Sequence, residues 1–303
     1  MNIIIGKFWD TFGEKLVARW IDFVLPSLLF WSVGALAWVW FYGLQALDAL
    51  LANLTNLLVV GVSIAGLITF FLSVLLVNLL VYPARRILEG RWPKWLWALY
   101  RFTTFLQKRK VQLAKTRWQE LMLKVGKVDL SLGERFELEK IEMLLHRTPR
   151  TNIDIGPTQL GNIQRASEIR IRTKYGLSVD ITLPRLKLLL PDVAREELES
   201  LSNSINLFVL WLLWGLFMSV WAIWFRWVII ISVVVTVIAY RLAVFTAVRY
   251  ATILESCYDL YRFSLYKSLR FPLPKSAKDE KEFGEQINQY IWRGLLPSTL
   301  EIK

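Results

Sequence analysis

Apolar residues run almost unbroken from Ile205 to Val248, and the chain is organised around this stretch. It reads INLFVLWLLWGLFMSVWAIWFRWVIIISVVVTVIAYRLAVFTAV, 44 residues with two charges, Arg226 and Arg241. One crossing of a hydrocarbon core about 30 Å thick takes roughly 20 apolar residues. A run twice that length therefore crosses, turns near Trp224–Trp227 and crosses back. Val24–Leu47 and Leu57–Tyr82 have the same character, and Asp48, Asn53, Thr55 and Asn56 mark a polar loop between them. The pattern predicts an all-α, polytopic membrane protein. Four transmembrane helices form two hairpins, over 24–82 and 205–248, and residues 83–204 form a helical cytoplasmic domain.

The remaining segments read as helices and punctuation. Within 1–23, Phe8, Trp9, Phe12, Leu16 and Trp20 recur at helical spacing, as in an amphipathic helix lying in the membrane interface. The stretch RWPKWLWALYRF opens a second interfacial segment, and a long helix is expected from Pro93 to about Val125. A break follows at Gly126–Leu130. Ser131 with Glu134 has capping-box spacing and starts a helix to about Arg147. Thr148–Gly156 reads as loop. A helix over Thr158–Tyr175 ends at Gly176. Leu183–Leu190 is too short to cross, and Pro184-Arg185 suits a first helical turn. Asp192 caps a helix that continues from Val193 into the third crossing. The fourth crossing extends over 249–274 with no breaker before Pro272. The tail, 275–303, is charged and is expected to be loose apart from a short helix near Phe283–Trp292.

Composition sharpens this picture. Hydrophobic residues make up 55% of 303, mean hydropathy is +0.40, and there are 15 tryptophans. Many of these sit beside the expected crossings, where an apolar ring with one N–H suits the interface. The net charge is +12, and residues 83–204 hold 23 Lys and Arg against 14 Asp and Glu. Basic flanks at Arg85, Arg86, Arg91, Lys94 and Arg249 place that region and both termini in the cytoplasm. Anionic lipid headgroups fit the charge better than nucleic acid. Asp10, Glu14 and Asp22 argue against a cleaved leader.

No pattern points to an enzyme. There is one histidine, His146, and one cysteine, Cys257, too few for a zinc site. No phosphate loop and no nucleophile elbow occurs, so no catalytic residue, metal or cofactor is assigned. Ser63, Thr69, Ser73 and Asn78 in the second crossing read either as helix-packing groups or as a polar pathway. Arg241 either snorkels to the interface or lines a pore in an oligomer. Glu255 and Asp259 share one helix face and answer basic residues of the cytoplasmic bundle, with ion binding or gating as the alternative.

The segment GPTQLGNIQRASEIRIRTKYG, followed by ITLPRLKLLLP, carries Pro157, Thr158, Leu160, Gly161, Asn162, Arg165, Ala166, Glu168, Tyr175, Gly176, Pro184, Arg185, Leu186, Leu189, Leu190 and Pro191. It resembles a recurrent pattern in bacterial multi-pass membrane proteins of no assigned function. Leu183 stands where that pattern has tryptophan. Tyr258–Pro274, YDLYRFSLYKSLRFPLP, is similar to a second block of the same proteins. The resemblance implies a bacterial inner-membrane protein and no particular activity. Gly161, Asn162, Arg165, Glu168, Tyr175 and Arg185, with Glu255 and Asp259, form either a rigid cytoplasmic joint or an interaction surface.

The expected function is a membrane scaffold or signalling component, in contact with lipids, further copies of itself and a cytoplasmic protein. An oligomeric channel or pore-forming effector is the alternative, and a lipid-processing membrane enzyme is a third.

Overall fold

The computed structural model describes residues 24–52, 56–125 and 130–294, and among these it is all-helical, with no strand. The expected helix over 7–22 lies outside them, as does most of the break at Gly126–Leu130. The helices are α1 (Val24–Tyr42), α2 (Leu44–Ala52), α3 (Asn56–Leu88), α4 (Trp97–Val125), α5 (Leu132–His146), α6 (Gln159–Tyr175), α7 (Val179–Lys187), α8 (Asp192–Met218), α9 (Val228–Ser268) and α10 (Ala277–Arg293). Among the described residues four segments are long and apolar enough to cross a membrane: Val24–Tyr42, Leu58–Leu88, Asp192–Ile223 and Val228–Ser268. The chain divides into two compact units. One holds Met1–Arg85 and Ser204–Ala243, the other Arg86–Asn203 and Val244–Lys303.

The first unit turns its apolar side chains outward. Leu36, Leu75, Leu79 and Trp40 are exposed, Trp40 by 76%. An apolar exterior of this extent fits hydrocarbon rather than water. Its interior is aromatic: Phe30 packs at 5.1 Å on Trp214 and 5.0 Å on Trp221, which stacks on Trp224. Glycine makes this possible, since a Cβ at Gly34 would lie 2.5 Å from the Trp221 ring. Gly215 plays the same part where α8 meets α9: its carbonyl accepts from Ser232 Oγ at 2.8 Å, and a Cβ would lie 2.8 Å from Thr236 Oγ1.

Two expectations fail here for local reasons. The first crossing ends at Tyr42, not Leu47. Gly43 takes φ +80°, and its N–H closes on Val39 O at 2.8 Å. Asp48 then lies in α2 rather than in a loop. Pro83 does not end the helix of the second crossing. It lies inside α3, which continues to Leu88 and carries Arg85 and Arg86 as helical residues. A proline there lacks the N–H that would bond Leu79, typically a loss of ~3 kcal/mol. Arg85 adds a tertiary hold nearby, donating to Asn206 Oδ1 at 2.7 Å.

The second unit has a core built by α6, α7, α8, α9 and α10, around Ile171, Leu177, Leu186, Leu198, Tyr258, Tyr266 and Ile287. The short apolar segment is therefore core. It is α7, with Ser178 at the N-cap position making no side-chain cap bond, and with Pro184 inside the helix rather than at its start. Asp192 opens α8 and pairs with Arg195 at 2.6 Å. The tail differs most from expectation. α10 covers 17 residues, starts with Ser276 accepting from the Asp279 N–H, and ends at Gly294. It touches α6 backbone to backbone, since a Cβ at Gly284 would sit 1.9 Å from Tyr175 O and one at Gly176 would sit 1.9 Å from Lys281 O. Asn288 completes the joint, donating to Gly176 O at 2.7 Å and accepting from Ser178 N at 3.0 Å.

Gly284→Ala therefore forces α10 off α6. Limited proteolysis of the detergent-solubilised protein is expected to open a new site after Pro274, with a stability loss of ~1–3 kcal/mol, the range for overpacking a tight contact. An unchanged digestion pattern would rule out this docking.

Candidate functional site

Of the residues singled out in the sequence, Gly161, Asn162, Arg165, Glu168 and Tyr175 lie on α6, and Glu255 and Asp259 bond to it from α9. Thr158 caps α6, accepting from Gly161 N at 3.1 Å, and donates its hydroxyl to Leu88 O. Gly161 lies against the same turn, where a Cβ would meet Glu89 O at 2.5 Å. Asn162 is fully buried. Its Oδ1 accepts from Gly156 N at 2.7 Å and its Nδ2 donates to Gly156 O at 3.3 Å. Arg165 donates to Asp154 O at 2.8 Å and thus holds the loop before α6. Gly161 and Asn162 are therefore inside the protein and form no surface. Their types follow from a close backbone approach and from a buried loop residue with two polar backbone groups to satisfy.

Further along α6 the charges answer α9. Arg170 grips Glu255 through Nε and Nη2, the latter at 2.5 Å, and donates Nη1 to His146 O at 2.5 Å. Tyr175 OH donates to Asp259, with Lys174 3.5 Å away, and burial next to that carboxylate pushes the phenol pKa up to about 12. Arg262 stacks on the Tyr175 ring at 4.4 Å and pairs with the buried Glu280 of α10 at 2.6 Å. Glu255 and Asp259 thus meet basic groups of the helical bundle. Arg185 is exposed and donates to Ile181 O in its own helix.

Glu168 is the exception. It makes no ion pair with Arg165. Loss of water and the neighbouring Asp180 raise its pKa to about 7, against the opposing pull of Arg165 and Arg91. Asp180 opens α7, and its approach depends on the chain reversing after Gly176, which the sequence pattern does not reveal. The Arg262–Glu280 pair escapes a sequence pattern in which the charged tail is expected to be loose. The Ser276–Asp279 spacing was the available signal.

The polar residues of the first unit do not gather. Thr69 Oγ1 donates to Ala65 O, Ser73 Oγ to Phe70 O and Asn78 Nδ2 to Val74 O, so each satisfies itself within α3. Ser73 also accepts from Trp31 Nε1 at 3.1 Å. At about 100° per residue, Ser63, Ser73 and Asn78 spread over roughly 140° of the helix. Ser63 and Arg241 are exposed. Among the described residues no group of three His, Cys, Asp or Glu could hold a metal ion. No family model, curated protein or solved structure matches the chain.

Glu168 sets a pH dependence with a definite sign. Its folded pKa, about 7, lies above the ordinary 4.5. The folded state holds a proton that the unfolded state releases, so stability falls as pH rises from about 4.5 to 7 and stays lower above that. Glu168→Gln is expected to flatten this slope and to raise stability at pH 8 by on the order of 2 kcal/mol. Thermal unfolding in detergent from pH 4.5 to 8 measures it, and parallel curves for both proteins would exclude a raised Glu168.

Proposed function

We propose that the protein is a non-enzymatic scaffold of the bacterial inner membrane whose helical cytoplasmic domain binds another protein. Two hairpins, over 24–82 and 205–248, cross the bilayer, and both termini lie in the cytoplasm. Cation placement supports this orientation: Arg85, Arg86, Arg91, Lys94 and Arg249 follow the apolar runs that end at Tyr82 and Val248, whereas residues 43–57 carry Asp48 and no cation.

The observation that carries the binding role is the outer face of α5. Leu132, Phe136 and Met143 are 76%, 70% and 43% exposed. Spaced by four and seven residues, they form one stripe. The inner side of α5 is braced on α4. Arg117 binds Glu137 through two nitrogens, each at 2.9 Å, and Lys124 binds Glu134 at 2.8 Å. These contacts raise the Arg117 pKa, lower that of Glu137, and bring that of Glu134 down to about 2. The capping box at Ser131 fixes the first turn. An apolar stripe on a braced helix, beside Arg135 and Lys140, suits a partner that offers apolar side chains with an acidic flank.

Two measurements test this reading. In a Cys257→Ser background, a cysteine at Asp192 is expected to resist an impermeant reagent in intact cells while one at Asp48 reacts. The reverse result would overturn the orientation. A photo-crosslinking residue at Phe136 is expected to give one discrete heteromeric adduct in native membranes, and one at Gln112 none. Adducts at both positions, at neither, or of twice the chain's own mass would refute a dedicated partner on α5.

A further inference from the structure

A second feature of the same helical unit lies on the other side of His146. The end of α5, the following loop, α4 and α6 enclose a cleft of about 570 Å³. Lys115, His146, Arg150, Arg170 and Lys174 line it, and among the described residues no acidic side chain does. Leu145, Pro149, Ala166 and Ile169 give it an apolar wall. Internal bonds hold its rim in place. Arg170 donates to His146 O at 2.5 Å, and Lys115 Nζ donates to Arg150 O at 3.1 Å. The loop between His146 and Arg150 is thus tied to both flanking helices.

The charges are not balanced. Glu255 neutralises Arg170, and Asp259 lies 3.5 Å from Lys174. Neither Lys115 nor Arg150 has an acidic partner among the described residues. Partial loss of water, then the Arg170 charge, with smaller pushes from Arg147 and Arg150, lower the His146 pKa against the pull of Glu255. Glu142 lines the adjoining cavity and not this one. Two unpaired cations and an imidazole facing an apolar wall complement an anion that carries an apolar body. A dianionic phosphate suits them, because each oxygen can accept from a separate donor.

We propose that this cleft binds the phosphate monoester group of a small organic phosphate, with Lys115 and Arg150 on its oxygens and its apolar portion against Leu145, Ala166 and Ile169. Soluble metabolites and the headgroup of phosphatidic acid share this chemistry. The inference is independent of the α5 stripe and of the partner assigned to it.

The test uses the only histidine in the chain, which gives a single imidazole signal in the untagged protein. The full-length protein is placed in zwitterionic lipid discs, and the His146 pKa is followed by NMR while phenyl phosphate is added. Binding is expected to saturate and to raise the pKa by about one unit, since a bound anion stabilises the imidazolium. Discs containing phosphatidic acid, with no soluble phosphate, form the second arm. A shift only there makes the lipid headgroup the ligand, and a shift only with phenyl phosphate makes it soluble. Arg150→Gln, at an exposed position, and Lys115→Met, at a half-buried one, are each expected to weaken binding at least tenfold. The proposal fails if neither arm gives a saturable shift. It also fails if chloride at equal ionic strength reproduces the shift, or if both variants keep it.

Discussion

A side-chain amide that closes on both backbone groups of one loop residue fixes the start of α6, and much of the polar chemistry of the second unit depends on that helix. Asn162 accepts from the Gly156 N–H and donates to the Gly156 carbonyl while fully buried. Removing the amide would leave two buried backbone groups unsatisfied, at about 1–3 kcal/mol each. With Thr158 on Leu88 O and the Gly161 backbone against Glu89 O, the first turn of α6 has little freedom to rotate. Seventeen residues of helix then carry that orientation to Arg170, Tyr175 and Gly176. Each of these meets a different neighbour: Glu255 and Asp259 of α9, and Lys281 of α10. A rotation of one residue at the start, about 100°, would miss all three.

Legibility in the sequence followed the range of the interaction. The Ser131–Glu134 box, the Thr158 start and the Gly176 stop are local, and each lies where the sequence pattern places it. So do the four long apolar helices, because period and length alone decide them. The residues around Gly161 and Asn162 were recognisable as a unit, but their role as joint or surface turned on contacts with Glu89 and Gly156. The failures were tertiary. Pro83 and Pro184 read as boundaries because proline lacks a donor, yet both helices continue through them. The charged tail concealed Ile287, which is fully buried in the core. In α10 the apolar positions are sparse, and the two glycines that admit close contact lie 108 residues apart in the chain.

Identical residue types behave oppositely according to what surrounds them. Glu134 accepts from Lys124 and from Ser131 and titrates near 2, whereas Glu168 has lost water without gaining a partner and titrates near 7. Composition places both on basic helices and predicts the same behaviour for each. In α3, a helix that reads as crossing lipid, the polar side chains follow a third course. Thr69, Ser73 and Asn78 bond carbonyls three or four residues back in their own helix. A polar residue in such a segment need not line a pathway, because the helix itself supplies an acceptor.

The same contrast separates the two outward faces of the helical unit. Along α4 and the inner side of α5, every arginine, lysine and glutamate in the brace has its counter-charge within about 3 Å. Such exposed pairs contribute little to stability and a good deal to geometry, so their effect is to hold α5 in register with α4. The cleft beyond His146 has the reverse composition: its backbone is tied by Lys115 and Arg170, while among the described residues Lys115 and Arg150 have no carboxylate partner. The Lys115 bond to Arg150 O holds these two cations near one another against their mutual repulsion. An anion would supply the missing counter-charge, and a cleft already fixed by backbone bonds would pay little further ordering entropy to receive it.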